Sequence, residues 1–143
     1  MTGTAARAWP RRLKTAVYLV VAAAFMVGAV TKYLPGETFF GPPYSVKFAD
    51  WGYPSWFRFV VGTIEGIAAI LLVIPDRRTR FAGATALVFV LTGATTTHIV
   101  NHDPISESIS APSYLVVTTV MALANWPADW RDVLRPRRDA VNA

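Results

Sequence analysis

Four long apolar segments, each close in length to the thickness of a lipid bilayer, constrain this chain more than any other feature. The first covers residues 15–34 and is interrupted only by Lys32 near its end. A helix of about 20 residues crosses the hydrocarbon core, since it rises 1.5 Å per residue. The other segments are 55–74, 81–100 and the shorter 111–126. The sequence therefore predicts an all-α fold, a bundle of four antiparallel transmembrane helices.

The composition agrees with a membrane domain. Hydrophobic residues make up 53% of the 143 residues and charged residues 16%, whereas soluble domains have about a quarter charged residues. We predict a membrane domain over 13–126, preceded by a cytoplasmic flank at 1–12 and followed by a cytoplasmic basic tail at 127–143. The first apolar segment is longer than the core of a signal peptide and no small-x-small cleavage site follows it, so we expect it to be retained.

The distribution of basic residues predicts the orientation. Eleven of the 14 lysines and arginines lie before the first segment, between the second and third, or after the fourth. Because basic residues are enriched in cytoplasmic loops, both termini are expected on the cytoplasmic side of the cell membrane. Residues 76–80, which contain three arginines, are predicted to form a tight turn. Because the basic residues flank apolar segments, they predict contact with membrane lipids and not with nucleic acid.

The outer loop at 35–54 is rich in aromatic residues, which are typical of a membrane interface. Prolines and glycines in this loop exclude a long helix, but a short interfacial helix is predicted near 46–50. The chain contains no cysteine. This excludes disulfides, thiolate metal sites and thiol nucleophiles, and with them the four-helix membrane proteins that exchange disulfides with quinones.

Glu65 lies at the centre of the second segment and is the most informative residue. A carboxylate about 15 Å from either interface is costly unless it faces the protein interior and is neutral or paired. Gly62 and Gly66 are one turn apart and allow a neighbouring helix to approach closely. Glu65 either has a functional role or only ties helices together, and the sequence leaves both interpretations open.

Lys32 and His98 lie at similar depths near the outer ends of the first and third segments. Lys32 either extends to the outer interface or turns inward to meet Glu65. In antiparallel helices Lys32, Glu65 and His98 can converge on one outward-opening polar pocket, and we predict them as the catalytic residues. Thr95, Asn101 and His102 are predicted to contact a bound cofactor or ligand, with His98, Asn101 and His102 on one helical face.

The histidines also allow two other interpretations, a metal site and a serine hydrolase. His98 and His102 have the spacing of two metal ligands on one helix, with oxygen available from Asp103 or Glu107. The glutamate of a protease-type motif is absent between them, so no metal site is predicted. A serine hydrolase is weaker still, because the serines at 106–110 lack the glycines of a nucleophile elbow.

At these residues the chain resembles the DoxX-like family of small four-helix membrane proteins. The resemblance covers most of residues 13–126 and rests on motifs in matching order and spacing: Phe25-x-x-Gly28-x-x-x-Lys32, Trp51-Gly52-Tyr53-Pro54, Gly62-x-x-Glu65-Gly66 with Leu71-Leu72-x-Ile74-Pro75, and Gly93-Ala94 with His98. The loop at 101–113, with His102, has no counterpart in the family pattern.

The resemblance implies a fold more than an activity. The family takes its name from a small subunit associated with a thiosulfate:quinone oxidoreductase, and other members are linked to oxidative-stress complexes or act as membrane chaperones. The first hypothesis is thus a redox-associated subunit or enzyme that binds a quinone or another small lipophilic molecule. The alternative is a non-catalytic assembly factor or partner-binding subunit, with the aromatic outer loop as its docking surface. A transporter comes third, because four helices with one central carboxylate are few for a pathway.

Overall fold

A computed structural model describes residues 5–39 and 41–128, and over these residues the fold is all-α, as predicted. Apart from one isolated bridge between Thr38 and Gly41, no extended pairing occurs in this part of the chain. The helices, in chain order, are α1 (Ala5–Tyr33), α2 (Tyr44–Asp50), α3 (Phe57–Val73), α4 (Arg77–Val100), α5 (Ile105–Ser108) and α6 (Ser110–Ala124).

Three helical stretches are long and apolar enough to cross a membrane: Pro10–Tyr33 in α1, Arg77–Val100 in α4, and Ile105–Ala124, which joins α5 and α6. Large apolar side chains on these stretches point away from the protein, for example Val20, Phe89 and Val116, each about two-thirds exposed or more. Extensive apolar exposure of this kind is stable in lipid and costly in water. The chain is therefore a membrane protein.

The structure corrects the predicted start of the first and third helices. α1 begins at Ala5, ten residues before the predicted start, and α4 begins at Arg77. Asp76 caps α4, because its carboxylate accepts hydrogen bonds from the backbone N–H (3.0 Å) and hydroxyl (2.7 Å) of Thr79. The predicted tight turn at 76–80 is thus wrong. Hydropathy marks where a segment enters the hydrocarbon core of the membrane. A helix can begin before that point, because arginine and alanine both favour helical structure.

The fourth predicted helix begins earlier than residue 111. Pro104 precedes α5, and α5 and α6 follow each other with only Ile109 between them, so the connection after α4 is reduced to 101–104. The polar loop predicted at 101–113 is therefore mostly helical. A short helix is present where one was predicted near 46–50, as α2. The predicted basic tail lies almost wholly outside the described residues.

The long helices pack in chain order, with α1 against α3, α3 against α4, and α4 against α6. Two glycines allow the closest approaches: a Cβ on Gly62 would lie 3.1 Å from the carbonyl oxygen of Ala29, and one on Gly83 would lie 2.9 Å from that of Ala68. Fully buried side chains, such as Leu72 and Leu87, fill the half of the protein near Lys14 and Arg77–Arg80. We call this the basic end, and the opposite end the cavity end.

Candidate functional site

A cavity of about 750 Å³ occupies the cavity end and is lined by residues of α1, α2, α3, α4 and α6. Its walls are mainly apolar and aromatic, with Phe25, Leu91 and Tyr114 on the side of the core. Small-molecule sites are usually concave, mostly apolar and about 300–1,000 Å³ in volume, with a few polar groups that orient the ligand. This cavity has that size and character.

Two of its polar groups form a buried ion pair. The Nζ atom of Lys32 lies 2.8 Å from Oε2 of Glu65, and each side chain is only 8% exposed. Nζ also donates to the carbonyl oxygen of Gly28, at 3.4 Å, one turn nearer the middle of α1. Lys32 thus turns inward to Glu65 and does not extend past the end of α1. A buried carboxylate and ammonium each require such a partner, because either ion alone is costly to remove from water.

Helix α2 contacts this ion pair through the side chain of Tyr44. The ring centroid of Tyr44 is 4.4 Å from Nζ of Lys32, close enough for a cation–π contact. Lys47, one turn later in α2, forms an ion pair with Glu107 of α5 at 3.4 Å. The sequence placed Tyr44 among the interfacial aromatics. The spacing Tyr44-x-x-Lys47-Phe48 puts these three side chains on one face of a helix. This spacing is the sequence signal from which the inward position of Tyr44 could have been predicted.

His98 belongs to a second polar cluster on the cavity wall. Its Nδ1 atom lies 2.6 Å from Oδ2 of Asp103, and the indole N–H of Trp51 donates to the same oxygen at 2.9 Å. The Trp51 and His98 rings also pack edge to face, with centroids 5.1 Å apart. Since a carboxylate accepts, Nδ1 carries the hydrogen, and Nε2 of a neutral ring is left as an acceptor. Asp103, considered from sequence only as a metal ligand, orients this imidazole.

The structure brings together the three residues predicted as catalytic, because Lys32, Glu65 and His98 all line the cavity. It does not bring Thr95, Asn101 and His102 to the same cavity. α4 ends at Val100, so the helical face of His98 is not continued to Asn101 and His102, whereas Thr95 lies within α4.

Each of these three residues has a different local environment. Asn101 caps α4 and donates to the carbonyl oxygen of Thr97 at 2.9 Å, and His102 follows in a left-handed turn with φ of 54°. The hydroxyl of Thr95 is buried and makes no hydrogen bond. Within residues 5–39 and 41–128, no group of three side chains is placed to hold a metal ion.

The helices and the cavity define a helical membrane protein with a ligand-sized pocket at one end. The chain belongs to the DoxX-like family, whose profile matches residues 16–122. This range includes Lys32, Glu65 and His98. No curated protein and no solved structure matched the chain.

Proposed function

We propose that the protein binds a small lipophilic molecule with a polar headgroup in the cavity, and that this molecule is a quinone or a compound of similar shape. The observation that carries the proposal is the opening of a buried ion pair, Lys32–Glu65, into a mainly apolar cavity of about 750 Å³. An apolar wall favours a ring and its tail, whereas the few polar groups favour a headgroup that exchanges hydrogen bonds with them.

The polar groups match the chemistry of a quinone headgroup. A quinone takes up two electrons and two protons to become a quinol, and its oxygens accept hydrogen bonds in the oxidised form. Lys32 would hold the charge of Glu65, Glu65 would give protons to the headgroup as it is reduced, and His98 would relay replacement protons from the outer surface. The electrons would come from a partner redox subunit, so the protein would act as a redox-associated membrane subunit or enzyme.

The alternative, a non-catalytic assembly factor, depended on aromatic residues of the outer loop as a docking surface. Five of these aromatics line the cavity: Phe39, Tyr44, Phe48, Trp51 and Tyr53. Phe48 is buried, and its ring contacts Trp51 and Tyr53 at centroid distances of 5.4 and 6.1 Å. This arrangement favours ligand binding over partner binding as the role of these side chains.

Filling the cavity tests the proposal. Thr31 lines the cavity, and its hydroxyl donates only to carbonyl oxygens of its own helix, so Thr31→Trp removes no hydrogen bond between helices. We expect lipid extracts of the purified wild-type protein to contain a quinone at near-stoichiometric amounts. In extracts of Thr31→Trp its amount should fall at least about tenfold, since the indole occupies the space of a headgroup. Mass spectrometry of the extracts measures both.

Val30→Trp is the matched control, because Val30 is in the same helix, is 49% exposed at the surface of the protein and does not line the cavity. It should retain the quinone at the wild-type level. Absence of any lipophilic molecule from wild-type preparations, or equal loss in both variants, would contradict the proposal.

We further propose that α3 is a fourth span and that both termini are cytoplasmic. α3 has 17 residues and is about 25 Å long, slightly short of the hydrocarbon thickness. It packs against both α1 and α4, two of the three stretches long enough to span. The charge asymmetry supports the orientation, since Arg77, Arg78 and Arg80 follow α3 directly.

Single cysteines can test this topology, because the chain contains none. Gly36 and Arg78 are both exposed and lie on either side of α3. Gly36→Cys should react with a membrane-impermeant maleimide in intact cells, and Arg78→Cys only after permeabilisation. Labelling of both from the same side would show that α3 does not cross the membrane, and the reverse pattern would invert the orientation.

A further inference from the structure

A second cavity lies at the basic end, remote from the proposed ligand site. Its volume is about 370 Å³, and its lining comes from α1, the start of α4 and the end of α6: Lys14, Pro75, Arg77, Arg80, Ala124 and Asn125. Three of these six residues are cationic and none is acidic. No described carboxylate forms a salt bridge with any of the three cations.

Arg80 is held in position by buried groups. Its Nε atom donates to the carbonyl oxygen of Leu72 at 3.2 Å, and its guanidinium carbon lies 4.2 Å from the ring centroid of Tyr18. The hydroxyl of Tyr18 in turn accepts a hydrogen bond from the side-chain amide of Asn125, and both of these residues are almost fully buried. The cavity therefore has a fixed cation in its wall.

The outer edge of this guanidinium is available to a ligand. Nη1 and Nη2 of Arg80 find no acceptor among residues 5–39 and 41–128. The carboxylate nearest in sequence, Asp76, is turned to Thr79 as the cap of α4. The free Nη1–Nη2 edge of a planar guanidinium suits two oxygens of one phosphate group, and the exposed Lys14 and Arg77 add positive charge beside it.

We propose that this cavity binds the phosphate group of an anionic phospholipid. The three cations lie at the basic ends of the stretches Pro10–Tyr33 and Arg77–Val100, which is the depth of lipid headgroups beside a spanning helix. Basic pockets between helices at this depth attract anionic lipids because of their surface charge. A free phosphate ion would interact with the same cations, but nothing holds it at the depth of lipid headgroups. An experiment can therefore distinguish a phospholipid from free phosphate as the ligand.

The test titrates phosphatidylglycerol into the purified full-length protein in phosphatidylcholine nanodiscs and follows bound lipid by native mass spectrometry. The cavity variant is Lys14→Gln/Arg77→Gln, which leaves the Arg80–Tyr18–Asn125 contacts in place. The control variant is Arg12→Gln/Arg78→Gln, which removes the same charge from two exposed residues that do not line the cavity. A parallel series replaces phosphatidylglycerol with inorganic phosphate and follows thermal stability.

We expect the cavity variant to bind phosphatidylglycerol about 25-fold more weakly than wild type, since each of the two basic residues contributes about fivefold. The control variant should lose no more than about fivefold. Equal losses in the two variants would overturn the proposal, because the attraction would then be a general surface effect. Stabilisation of the wild-type protein by inorganic phosphate, without selective phosphatidylglycerol binding, would overturn the lipid as the source and leave a phosphate site.

Discussion

Replacing Lys32 with methionine should lower the free energy of unfolding by about 3 kcal/mol, because it leaves the carboxylate of Glu65 buried without its partner. Glu65→Leu should have a similar effect for the opposite reason, since it leaves the ammonium alone. Both side chains are 8% exposed, so water can reach the remaining ion only through the cavity, whose walls are mainly apolar. Thermal unfolding in detergent measures the loss.

The double variant Lys32→Met/Glu65→Leu separates structure from function. A buried ion pair replaced by apolar side chains of similar volume is often as stable as the original. We therefore expect it to recover more than half of the stability lost by the single variants, while quinone retention stays at least about tenfold below wild type. Glu37→Gln, at an exposed carboxylate between α1 and α2, should change neither quantity.

Two outcomes would contradict this expectation in different ways. If the double variant recovers both stability and quinone retention, the ion pair only ties α1 to α3 and the proposed function loses its main support. If the single variants are as stable as wild type, the ammonium and the carboxylate do not depend on each other, and the geometry of the pair has no energetic role.

Gly83→Ala should destabilise the protein by about 2 kcal/mol, although alanine is the better helix former. The added Cβ would lie 2.9 Å from the carbonyl oxygen of Ala68 and 3.0 Å from Cβ of Leu71, so α4 must move away from α3. A backbone carbonyl inside a helix cannot turn aside as a flexible side chain can. Denaturation of the purified protein, monitored by circular dichroism, should show the lower midpoint.

Gly93→Ala is the control for this effect, because Gly93 is in the same helix and its added Cβ would meet no atom within 4 Å. Alanine there should be neutral or stabilise the helix by up to about 1 kcal/mol. If Gly83→Ala and Gly93→Ala shift the midpoint in the same direction, the close packing of α4 on α3 is not what Gly83 provides.

The sequence predicted the helical fold because hydrophobic length is a local property, and each apolar segment could be recognised without its neighbours. It also predicted Lys32, Glu65 and His98 as one group, because ionisable residues inside a membrane face the protein interior and pair with one another. Helix ends were less predictable. Arg77–Arg80 extend α4 through a cap at Asp76, and hydropathy carries no information about caps.

The rest of the site depends on contacts between distant parts of the chain. Trp51 and Asp103 meet across 52 positions of sequence, and Tyr44 reaches Lys32 only because α2 folds back over the end of α1. The sequence put His102 on the helical face of His98 because the helix was continued past Val100, where α4 ends. Such placements follow from how the connecting segments fold, which periodicity alone does not describe.

The two polar contacts that join α2 and the loop after it to the chain between α4 and α6 have a further consequence. Glu107 is 28% exposed in its pair with Lys47, and Asp103, which accepts a hydrogen bond from Trp51, is 19% exposed. Dissolved ions reach such partly exposed charges, but they do not screen the Lys32–Glu65 pair beneath. The rim of the cavity should therefore respond to the salinity of the surrounding medium, whereas its floor should not.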